Sequence, residues 1–134
     1  MIDIENIVID KVISEFPDIT VTSDETKAPS EFPAIYISCK SNTIYLDSRD
    51  ENKENHVNVM FQADIYDNNV DSKKEKCKEI ASKLDTIMQS QGFTRTFYEP
   101  ITNLEDSTIY RIVMRFTAVV SKLMEGDIHY VYDK

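Results

Sequence analysis

Two arginines four residues apart, Arg111 and Arg115, lie in the run "TIYRIVMRFTAVV", which alternates as a strand does. The formal net charge of the chain is -9, so a pair of guanidinium groups on one strand face calls for a reason. One use is internal, pairing with an acid on a neighbouring strand such as Asp64. The other is external: the face meets another subunit, and the acid belongs to the neighbour. A sheet face can do both.

Other chemistry is sparse. His56 and His129 stand without a carboxylate or cysteine at metal-ligand spacing. No serine, threonine or cysteine sits in a nucleophile-elbow setting. Only two glycines occur, Gly92 and Gly126, which excludes a glycine-rich phosphate cradle. Asp47, Asp50, Glu51 and Glu54 surround Arg49 and Lys53, a mixed run whose spacing differs from a calcium loop and reads as a solvated one. Tyr130 and Tyr132, near the end of the chain, serve sheet packing or anchor a partner. The residues therefore nominate no catalytic, cofactor or metal set, and no enzyme. They nominate interface positions: Arg111, Arg115, Asp64, Arg49, Tyr130 and Tyr132.

These residues must be held by a modest fold. A length of 134 residues bounds the chain to one domain with a single core. Hydrophobic content of 41% and charged content of 29% are ordinary for a globular protein. No apolar run reaches the roughly 20 residues of a membrane span. The start, "MIDIENIVID", carries acids where an export signal carries bases, so a cytoplasmic protein is expected. The excess of 24 acids over 15 Lys and Arg argues against tight, sequence-independent DNA binding. Cys39 and Cys77, far apart and without a CxxC, read as buried reduced thiols.

The elements follow from periodicity. Ile4, Val8, Val12 and Phe16 form a helical stripe, widened by Ile9 and Ile13 and stopped by Pro17. "ITVTS" and "AIYISCK" are strands, with "TIYLDS" a further short one, and a mobile loop is expected near 41–55. "HVNVMFQADIY" alternates, with Val57, Val59, Phe61, Ala63 and Ile65 on one face. A long helix spans Ser72 to Gln91, with Ser72 and Glu75 at capping-box spacing and Gly92 after its end. "FTRTFYEP", then Thr108 to Lys122, then "DIHYVYD" (within 126–133) are the remaining strands. Helix, strands, helix, strands is the order of an α+β domain: an antiparallel or mixed sheet with two main helices on one face.

Three runs, "FQADIYDNN", "KKEKCKEIASKLDTIMQSQGFTRT" and "EPITNLEDSTIYRIVMRFTAVV", with "EFPAIYIS" upstream, resemble a family of phage tail proteins. It is the tail terminator, or tail completion, family of long-tailed phages, prophages and tail-like particles of Gram-positive bacteria. The resemblance covers about residues 31 to 122. It implies an α+β structural protein that forms a ring, commonly a hexamer, at the head-proximal end of the tail tube. That ring stops tube polymerisation and offers the surface that joins the head connector, while DNA passes through without specific binding. The implied place is the tail, assembled in the host cytoplasm, with no cofactor and no membrane. The alternative is another connector, head-completion or tube component of the same particle. "SKLMEGDIHYVYDK" and "DSRDENKEN" fall outside the resembling pattern.

Overall fold

The structure, a computed structural model, describes residues 3–23, 29, 31–44, 56–101, 108–124 and 127–131. It is an α+β fold built on one mixed sheet. Helix α1 (Glu5–Glu15) leads to strand β1 (Thr20–Thr22), β2 (Ala34–Ile44) and β3 (His56–Asp67). Helix α2 (Lys73–Ser90) follows, then β4 (Thr94–Pro100), β5 (Tyr110–Met124) and β6 (Asp127–Val131). The order across the sheet is β1-β2-β3-β5-β4, with β6 also paired to β5. Among the described residues only the β1–β2 pair is parallel.

Both helices cover the same face. Val8 and Val12 of α1, with Ile80, Leu84 and Met88 of α2, share one core with Ile35, Phe61, Ile65, Ile112, Met114 and Phe116 from the strands. Phe61 and Phe116 are direct cross-strand partners, and Phe93 meets Phe61 edge-on at 5.4 Å. Ile9 joins the apolar stripe of α1, but Ile13 is 45% exposed. At 3.6 residues per turn Ile13 stands about 110° from the centre of that stripe, too far round to reach the sheet.

The ends of α2 divide expectation from outcome. The C-terminus closes on Gly92 at φ 91°, where the Gly92 and Phe93 N–H groups reach the Gln89 and Met88 carbonyls, each at 3.0 Å. This is a Schellman turn, and a Cβ is disfavoured at that φ. Gly92→Ala is expected to cost about 1–2 kcal/mol, read as a lowered urea midpoint with unchanged slope. At the N-terminus the capping box does not form, because Ser72 makes no side-chain cap bond. Asn69 does the nearby work, its Oδ1 accepting the N–H groups of Asp71 (3.0 Å) and Ser72 (3.2 Å).

"AIYISCK" and the start of "TIYLDS" form one strand, not two. A β-bulge at Lys40, between Cys39 and Ser41, resets the alternation halfway along β2. The Cys39 N–H beside it donates to Glu5 Oε2 at 2.8 Å. A second bulge, at Thr96 in β4, lies at the same level across the Cys39–Phe61–Phe116–Arg95 row. Of the loop expected near 41–55, residues 41–44 are therefore strand, and the rest lies outside the described residues.

Both cysteines are free thiols, Cys39 half-buried and Cys77 buried. Burial, followed by the nearby Asp67 charge, pushes the Cys77 thiol up to about 12. Its folded value lies above the unfolded one, so its contribution to stability is full below about pH 8.5 and is lost as pH rises through the folded value. A thiol reagent at about pH 8 is expected to leave Cys77 unmodified in the native protein and to modify it at once in denaturant.

Candidate functional site

The sheet face opposite the helices carries the polar residues, in transverse rows. Ser38, Gln62, Arg115 and Phe97 align across β2, β3, β5 and β4. Tyr36, Asp64, Val113 and Glu99 form the next row, and Ala34, Tyr66 and Arg111 the third. Alternation alone places the residues of the two central strands: the even residues of β5 and the odd residues of β3 fill the core, leaving their neighbours outward.

Asp64 is the centre of this face and is 3% exposed. Arg111 donates to its Oδ2 from Nε (3.1 Å) and Nη2 (2.6 Å). The Tyr66 hydroxyl donates to the same oxygen at 3.2 Å, and Gln62 Nε2 donates to Oδ1 at 3.1 Å. A buried carboxylate is held only when its oxygens are hydrogen-bonded, and both oxygens here are. Arg111 also lies 5.8 Å from the centre of the Tyr66 ring.

Arg115 differs. Its Nε donates to the neutral Gln62 Oε1 at 3.2 Å, and its guanidinium lies 4.9 Å from the Phe97 ring centre. Among the described residues no acid pairs with it, so its terminal nitrogens form a fork fixed at its base. Gln62 thus links the two arginines, receiving from one and donating to the partner of the other. Lys40 stands beside Tyr36, with Nζ 3.2 Å from the hydroxyl and 5.2 Å from the ring centre. Among the described residues the rows and the bulge beside them set Lys40, Arg111 and Arg115 against Asp64 and Glu99. That is an excess of positive charge on a chain of net charge -9.

Of the interface positions expected from sequence, Arg111, Asp64 and Arg115 come together here. Tyr130 is opposite Val120 in the β5–β6 ladder, away from the rows, and its side chain is not described. Arg49 and Tyr132 lie outside the described residues. Sequence reading passed over Gln62 and Phe97. Gln62 shares the alternating face of Asp64, so its position was available; Phe97 was hidden, because the Thr96 bulge turns it to the outer face.

Among the described residues no group of acids, histidines and cysteines is placed to hold a metal ion. Among them, too, no helix is long and apolar enough to cross a membrane. No curated protein matches the chain. A family model described as phage tail terminator protein matches residues 3–129. That match spans nearly the full length of this α+β chain and places it in the phage tail terminator protein family.

Proposed function

We propose that this tail protein works as a ring, six subunits in the simplest case, that caps the head-proximal end of the tail tube. The ring stops tube polymerisation and presents the surface to which the head connector joins, and DNA passes through it without specific binding. The observation that supports a binding role is Arg115, oriented by Gln62 and Phe97 and without an acid partner among the described residues. An arginine held in one orientation loses little entropy on docking, and arginine is enriched at protein interfaces. A closed ring needs a heterologous contact, in which one surface of a subunit meets a different surface of the next. The two ends of this sheet, β1 and β4, are unlike, as such a contact requires.

The test is negative-stain imaging of the purified protein, alone and with tail tubes from its source. Rings of uniform diameter, free or on one tube end, are the expected result, and tube lengthening stops when the protein is added to polymerising tube subunits. Protein that stays monomeric and binds no tube end overturns the proposal.

A further inference from the structure

We infer that the β4 end of one subunit docks on the β1 end of the next copy, with Arg115 facing Glu31 and Tyr98 entering a groove beside β1. This deepens the ring reading above and rests on it.

The two ends match in both layers of the fold. On the helix side of the β1 end lies an open groove of about 270 Å³. Phe16, Ile19, Pro33 and Ile80 give it an apolar lining, and Asp18 and Lys83 are among its charged residues. On the helix side of the β4 end, Tyr98 is opposite Met114 and is 38% exposed, a large aromatic at the margin of the sheet. Arg95 lies over its ring, 5.5 Å from the centre. On the other face the charges match as well. At the β1 end the Thr20 hydroxyl donates to Glu31 Oε2 at 3.0 Å, fixing an exposed carboxylate beside the residue that pairs with Ala34 of the outer face. At the β4 end the Arg115 guanidinium reaches over Phe97 and so over the edge strand.

A chain with 24 acids and 15 Lys and Arg repels its own copies unless its basic surface meets an acidic one. Here Glu31 stands at one end of the sheet and Arg115 reaches toward the other, where Glu99 shares the β4 edge, so each contact leaves a fresh acceptor and a fresh donor. Association then propagates head to tail and closes into a ring when the rotation at each contact divides a full turn. The groove and the tyrosine set the alignment, and the Arg115–Glu31 pair sets polarity.

The experiment is charge reversal read by sedimentation and by tube-end capping, with circular dichroism to verify folding. Arg115→Glu alone and Glu31→Lys alone are each expected to weaken ring formation roughly thirtyfold or more, the range of an interface hot spot. An equimolar mixture of the two variants is expected to restore rings. In it the reversed pair forms at one contact and the native pair at the next, and an alternating ring of even number closes. Tyr98→Ala is expected to weaken assembly, and the same change added to both charge variants is expected to leave their mutual rescue in place. If either single charge variant still assembles as wild type, or the folded mixture stays monomeric, the pairing is overturned and the ring stands. If wild-type protein forms no ring with or without tubes, the ring reading falls and this pairing with it.

Discussion

Asp64→Leu is expected to lower stability by about 2–3 kcal/mol, and the double variant Asp64→Leu, Arg111→Met to recover most of that loss. Asp64 is 5% exposed at its side chain and accepts from Arg111, Tyr66 and Gln62. Removing it leaves a guanidinium, a phenol and an amide without their shared acceptor. The guanidinium dominates, because an uncompensated charge costs more than a lost neutral bond. Arg111 is 28% exposed, so water screens part of the cost, which is why the figure lies below that of a fully buried pair. Replacing both partners removes the orphaned charge along with its acid. A urea denaturation cycle over wild type, the two single variants and the double variant measures the coupling. Near-additive losses would mean that the two residues act independently. The first variant should also weaken assembly beyond its stability effect, since Gln62, released from Asp64, no longer holds Arg115.

Phe61→Ala is expected to cost about 3–5 kcal/mol, a large share of what a domain of this size has. Phe61 is fully buried, opposite Phe116 and edge-on to Phe93, so its loss opens a hole bounded by two aromatic rings. Neighbours on paired strands have little freedom to collapse into it, and the cavity adds to the transfer cost. A melting temperature lower by roughly 10–15 °C is the expected reading. Phe61→Leu, which keeps most of the volume, should recover more than half of it. A wild-type melting point for Phe61→Ala would show that the central strands are not the stability core.

Much of this fold was legible because single periods ran the length of single elements. In β3 and β5 the alternation continues without interruption, so the core face and the outward face separated by parity alone, and Arg111, Arg115 and Asp64 came to share one side. In α2 the stripe Cys77, Ile80, Ala81, Leu84, Ile87 and Met88 is buried throughout, and Gly92 marks the end. What failed to show was anything decided by contact. Asp64 was legible as the acid, and it does pair with Arg111, but which arginine takes it needed the register, which puts Tyr66 opposite Arg111 and Asp64 one diagonal away. That Arg115 takes an amide and no described acid is a matter of which residue lies opposite it in space. Asn69 in place of a Ser72 cap was missed because the loop geometry ahead of α2, not the spacing, decides which oxygen meets the free N–H groups. The resemblance to tail terminators rested on the hydrophobic pattern of the regular elements over about residues 31 to 122, and the family match runs further, over residues 3–129, taking in "DSRDENKEN" and the start of "SKLMEGDIHYVYDK".

The bulges at Lys40 and Thr96 have a consequence for comparing relatives of this chain. Each shifts the phase of its strand by one residue, so inward positions are odd before Lys40 and even after it, and likewise across Thr96. A relative that lacks the residue at Thr96 keeps both flanking registers by closing the ladder: Arg95 still meets Phe116 and Phe97 still meets Arg115. Such a gap is silent for the faces. Replacing the bulge with regular pairing at unchanged length does the opposite, since every residue beyond it moves to the other side. Phe97 would then turn inward and Tyr98 outward, and the platform beneath Arg115 would go with no change in composition. Length variation at these two positions is therefore a weaker sign of divergence than a swap of apolar and polar residues downstream of them.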